Sequence, residues 1–254
     1  MDQNPYAPPR RDSMLPLQVH DAGPGEPRPW EVGEVIEEAW GLFKPHWPVL
    51  VGAGVVLYVI LIAIKLGTTL VLGGGFSSAE NPFSPGALAG AGGSFIAQQV
   101  AQMFLQVGLL RIYLATVRGQ TPEFGQLFSG GDRFVTTLLS TMLLGLAIFF
   151  GFLLLIVPGV ILAIGLYNTM FFAADTDLGV VDCLKASWNS LAGQKGKFFA
   201  FLLVLGVLNI AGILACFIGL LVSVPVTILA LSIVYTRLTG RTGPEPLAAA
   251  PAYP

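Results

Sequence analysis

Residues 135–173 read VTTLLSTMLLGLAIFFGFLLLIVPGVILAIGLYNTMFFA, 39 residues without one charged side chain. A helix rises about 1.5 Å per residue and a membrane span takes roughly 20 apolar residues, so this run is too long for one span and suits two. Val157-Pro158-Gly159 stands just past its middle. Proline has no N–H for a helix and pushes the residue before it away from helical geometry, so the chain is expected to fold back there. A second run, 198–235, is 38 uncharged residues with its own break between Gly219 and Pro225.

Working outward, Pro48 to Leu72 is an apolar stretch interrupted only by Lys65, and Ser94 to Val117 is another that carries several glutamines and Arg111. The expected fold is all-α and integral to the membrane, with six transmembrane helices in three hairpins. Composition agrees: of 254 residues, 54% are hydrophobic and 11% charged, with a mean hydropathy of +0.74. A water-soluble domain carries roughly 25% charged residues, so this chain cannot clothe a water-facing surface. The 13 basic and 15 acidic residues leave a net charge of −2, with no basic excess for nucleic acid. Cys183 and Cys216 fall in different kinds of segment and suggest neither a disulfide framework nor a zinc set.

Residues 1–29 and 239–254 are proline-rich and read as disordered tails around a membrane domain spanning 30–238. No apolar core follows the first residues, so a secretory signal peptide is not expected. Of the 13 basic residues, 12 fall before the first helix, around the ends of the even-numbered helices or in the loops that follow them. Lys65 is the exception, and a place near the opposite interface lets it snorkel. The positive-inside rule then places both termini in the cytoplasm of a cell (inner) membrane protein.

A similar segment precedes each expected hairpin: EVGEVIEEAWGLFKPHW, TPEFGQLFSGGDRF and LGVVDCLKASWNSLAGQKGKFF. Val32, Val35, Ile36, Ala39, Trp40 and Phe43 recur at helical spacing in the first. In the third, Asp177 is placed to cap a helix whose apolar face includes Val180, Val181, Leu184, Trp188 and Leu191. Each is expected to be an amphipathic interfacial helix on the cytoplasmic side. VPGVILAIGL at 157–166 also aligns with VPVTILALSI at 224–233. The repeat units are then about 30–117, 118–174 and 175–238.

GLLRIYLATVRG leading into FGQLF and DRF, the VPGV turn, and LGVVDCLKASWNSLAG together resemble a widespread group of uncharacterised prokaryotic multi-pass membrane proteins. That group is related to the membrane domain of some glycerophosphoryl diester phosphodiesterases. The resemblance covers roughly residues 30–238. It implies a membrane fold and no particular chemistry. The long glycine-rich first loop and the proline-rich tails depart from it, and the acid and histidine cluster of a phosphodiesterase is missing.

Enzymatic signatures are absent: no GxSxG, HExxH, P-loop or CxxC occurs, and none of the six expected spans contains a His or an Asp. No enzyme, cofactor or metal is therefore expected. Polar residues in lipid are the better lead, because they are costly and mark pathways or helix contacts. Gln98, Gln102 and Gln106 stack on one face of the second span, as a polar lining or, more plainly, as interhelical hydrogen bonding. Asn168 and Asn209 read as packing contacts. Arg111 and Arg118 are candidate lipid-phosphate ligands, with interfacial anchoring the plainer alternative. Asn4, Pro5, Tyr6, Pro8 and Pro9 form a candidate polyproline motif for a cytoplasmic partner, set against a simple tether. The leading functional expectation is a non-enzymatic membrane scaffold or partner-binding protein. The alternative is a transporter or channel for a small solute or lipid along the glutamine face.

Overall fold

The computed structural model describes residues 27–72, 84–215 and 219–241; of Thr69, Leu72 and residues 85–89 only the backbone is described. Candidate residues Asn4, Pro5, Tyr6, Pro8 and Pro9 lie outside the described residues. Six apolar helical stretches are long enough to cross a membrane: Val32–Thr68, Gly90–Val117, Phe134–Leu154, Ile156–Asp175, Lys195–Leu214 and Leu220–Thr239. The chain is a multi-pass membrane protein, and every regular element among the described residues is helical.

In chain order these elements are α1 (Val32–Leu72), α2 (Pro85–Val117), a 3-10 helix (Phe124–Gly131), α3 (Phe134–Leu154), α4 (Ile156–Gly165), α5 (Thr169–Asp175), α6 (Val180–Ser190), α7 (Lys195–Leu214) and α8 (Leu220–Thr239). Consecutive partners pack together, α1 on α2, α3 on α4 and α7 on α8. The most enclosed span is α8, whose Leu229, Ala230, Val234 and Tyr235 are wholly buried among Leu50 and Ala53 of α1 and Ile112 and Tyr113 of α2. By contrast α3 and α7 expose Phe149, Leu153, Val207 and Leu214. In a bilayer such faces meet hydrocarbon, so their exposure costs nothing.

Several expectations need correction. The first amphipathic segment is not a separate interfacial helix: α1 runs unbroken for 41 residues through Pro45 and Pro48. Two interior prolines are a heavy penalty. Tertiary packing outweighs it, because Val35, Ala39 and Phe43 are buried in the core. Meanwhile Glu31 pairs with Lys197, and Glu34 and Glu38 pair with Arg237. The second segment is a 3-10 helix rather than an α-helix. It lies so close to α2 that a Cβ on Gly108 would sit 2.0 Å from the Leu127 carbonyl oxygen.

The third segment is a separate helix, α6, but Gly179 rather than Asp177 stands at its N-cap. Its buried face centres on Cys183 and Ser187, while Val181 is exposed. The fold-back expected at Val157-Pro158-Gly159 occurs at Leu155, the extended residue before α4. The tripeptide instead forms the first turn of α4, where a proline forfeits no hydrogen bond. Pro225 lies inside α8. Just outside 30–238, the Arg28 N–H donates to the Arg237 carbonyl and α8 closes on Gly240 in the left-handed region.

The fourth span is broken between Gly165 and Thr169. Trp188 of α6 packs where a Gly165 side chain would be, and the Ser187 hydroxyl donates to the Gly165 carbonyl at 3.1 Å. The break thus seats α6 against the bundle.

Candidate functional site

Two places in the bundle gather polar chemistry. The first is at the basic end, where α5 stops at Asp175. Arg118, just past α2, donates to the Asp175 carboxylate at 2.6 Å. The Tyr235 hydroxyl of α8 donates to the same oxygen at 3.0 Å, and Arg241, beyond α8, lies 3.7 Å from it. The side chains of Asp175 and Arg118 are 5% and 11% exposed, so this pair is sheltered from water. One carboxylate therefore joins the ends of three successive helix pairs. Arg118 Nε also donates to the Arg241 carbonyl at 3.2 Å.

A second set adjoins it. Arg111 donates to Asp132 at 2.8 Å, to the Ser129 carbonyl at 2.5 Å and to the Ala174 carbonyl at 3.4 Å. Arg133 reaches both Asp132 and Asp177. The Arg111 hydrogen bond and the charges of both arginines hold the Asp132 carboxyl below its ordinary pKa. Arg111, Arg118, Arg133, Asp132 and Asp175 line one polar pocket of about 380 Å³. The structure thus brings Arg111 and Arg118 together, with their guanidiniums occupied by carboxylates and carbonyls. Cys183 is buried and does not line this pocket, and burial raises its thiol pKa. Among the described residues no group of three His, Cys, Asp or Glu side chains is placed to hold a metal.

The second place is at membrane depth. Gln102 and Gln106 line a cavity of about 330 Å³ between α1, α2 and the first half of α8. Its wall is otherwise mostly aliphatic, with Tyr58 and Tyr113 as the other polar side chains. Gln98 does not line it. Its amide donates to the Leu61 carbonyl of α1 at 3.4 Å, and its own oxygen is buried with no partner among the described residues. The glutamine face is thus divided between one helix contact and one cavity.

Asn209 fulfils the packing role read for it: its amide donates to Thr227 at 2.9 Å and its oxygen accepts from Ser223 at 3.0 Å, joining α7 to α8. Asn168 reaches Ser190 at 3.4 Å. The expectation that no span carries an aspartate fails at Asp175, the last residue of the fourth span. Asp175 and Tyr235 each stand at the end of a long apolar run, and that shared position was the available signal for both.

Against known proteins, the chain is 26% identical over 239 residues to the uncharacterized protein Rv2560 of Mycobacterium tuberculosis, covering 87% of this chain and 73% of that protein. The uncharacterized protein Mb2590 of Mycobacterium bovis matches with the same identity and coverage. No family model matches the chain. No solved structure matches it.

Proposed function

We propose that the protein is a non-enzymatic scaffold or partner-binding protein of the cell (inner) membrane, with the basic end and both termini in the cytoplasm. The observation that carries this reading is the junction at Asp175, where one sheltered carboxylate ties together Arg118, Tyr235 and Arg241. Charges paired across helix ends hold a shape. The positive-inside bias orients that end toward the cytoplasm. Elsewhere on the bundle the rings of Trp47, Phe124 and Phe128 stay exposed, where lipid or a partner can cover them. On this reading α6 lies along the cytoplasmic interface of a three-hairpin bundle. The proline-rich segment containing Asn4, Pro5, Tyr6, Pro8 and Pro9 precedes α1 in sequence and suits a groove that reads polyproline.

The test is cross-linked capture from native membranes, comparing the full chain with one lacking residues 4–9. A cytoplasmic partner held by the full chain and lost from the deletion supports the scaffold; identical recovery from both overturns the tail's role. A second reading, passage of a small solute along α2, is favoured by Gln102 and Gln106 lining a cavity. It requires solute flux in liposomes that falls on Gln102→Leu.

A further inference from the structure

We propose that the cavity between α1, α2 and α8 is a binding site for one bilayer lipid, which enters sideways and places a carbonyl-bearing linkage against the Gln102 and Gln106 amides. The site goes beyond the scaffold reading and rests only on the membrane placement of the bundle.

Depth comes first. Along α1 the lining runs from Val51 to Leu61. At about 1.5 Å per residue from Pro48 that is roughly 5 to 20 Å into the span, within hydrocarbon. The cavity is also open on the lipid side, for Val55, Tyr58 and Leu221 on its rim are 43%, 63% and 49% exposed. What reaches it from there is lipid.

The polar groups then specify which part of a lipid. Neither the Gln102 nor the Gln106 side chain has a hydrogen-bond partner among the described residues, although both face the cavity. An amide left unpaired in hydrocarbon is strongly unfavourable, so something supplies its partner. Pro225 adds a further unmet group. Having no N–H, it leaves the Leu221 carbonyl one turn earlier without its helical donor, and both residues line the cavity. Amide N–H groups suit an ester or amide carbonyl, and the free carbonyl suits a hydroxyl. The aliphatic remainder of the wall suits an acyl chain. A file of water is the poorer fit, because the polar face does not continue outward: Gln98 is turned onto the Leu61 carbonyl.

The probe is a phosphatidylcholine carrying a diazirine on its acyl chain, supplied in nanodiscs containing the full chain, with adducts mapped by mass spectrometry. Adducts are expected on the lining stretches 54–58 and 221–225, and these should fall at least fivefold in the Gln102→Leu, Gln106→Leu double variant. Labelling of the outward-facing Phe149, Phe150, Phe152, Leu153 and Leu154 on α3 should not change and serves as the internal reference. Gly54 offers an independent variant: a Cβ there meets nothing within 4 Å, and the residue lines the cavity. Gly54→Leu should therefore fill the space and abolish cavity adducts with both glutamines intact. Cavity labelling that survives both variants identifies ordinary surrounding lipid and overturns the proposal. Absence of cavity adducts with the wild-type chain also overturns it, and a water permeability that falls on Gln102→Leu would then identify a hydrated path instead.

Discussion

Replacing Asp175 with asparagine removes one charge and keeps the shape. In the native bundle that carboxylate receives Arg118 at 2.6 Å and Tyr235 at 3.0 Å, with Arg241 at 3.7 Å. An amide oxygen can still accept from Tyr235. It cannot balance two guanidiniums, and Arg118 is 11% exposed, too sheltered for water to replace the lost partner. Removing one member of a buried pair costs about 3–5 kcal/mol. Arg118 keeps the Arg241 carbonyl as an acceptor, which sets the expected loss near the lower bound, about 3 kcal/mol. At about 1.4 kcal/mol per tenfold, the folded-to-unfolded ratio falls on the order of 100-fold. The assay is reversible unfolding in bicelles by steric trapping, run beside the Arg118→Met, Asp175→Leu double variant. With both charges gone the desolvation cost goes too, so the double variant should recover most of the loss. A loss below about 1 kcal/mol for Asp175→Asn would place the pair in the regime of exposed ion pairs and refute the junction as a structural tie.

Four further outcomes follow. Gly108→Ala should destabilise by about 3 kcal/mol, at the upper end of overpacking, because its Cβ meets the backbone of Gln126 and Leu127. Gly145→Ala, which meets nothing within 4 Å, should be neutral or stabilising in the same unfolding assay. Asp132 has a folded pKa lowered beneath its ordinary 3.8, so its tie to Arg111 is complete above that value and is lost as pH falls through the lowered one. With its side chain 58% exposed, the wild type should lose under about 1 kcal/mol more than Asp132→Asn when stability is compared at pH 6 and pH 3. For topology, single cysteines replacing Ser77, in the glycine-rich stretch between α1 and α2, and Lys185, whose side chain is 70% exposed, should label from opposite sides on a background lacking Cys183 and Cys216. Labelling from the same side would refute the six-span arrangement.

The six apolar helices were legible in the chain because length and hydropathy are local quantities: runs of 39 and 38 uncharged residues each have room for two helices of membrane-spanning length. The joining role of Asn209 was legible for the same reason, since a lone amide in an apolar helix must find a partner. The division of the glutamine face was not. Gln98, Gln102 and Gln106 are equivalent in helical spacing, and only the position of α1 turns the first onto the Leu61 carbonyl and leaves the other two in a cavity.

Proline and glycine were ambiguous in the same way. Proline disfavours a helix interior, yet burial of Val35, Ala39 and Phe43 carries α1 through Pro45 and Pro48. Gly165 shows nothing in sequence of the Trp188 ring that fills its place. The sequence by itself determined that the chain crosses a membrane several times, with every basic residue but Lys65 expected at one end, because those are properties of composition and spacing along the chain. Tertiary structure alone decided that Arg118, Asp175, Tyr235 and Arg241 meet at one oxygen. Their sequence separations carry no information about contact until the helices have packed.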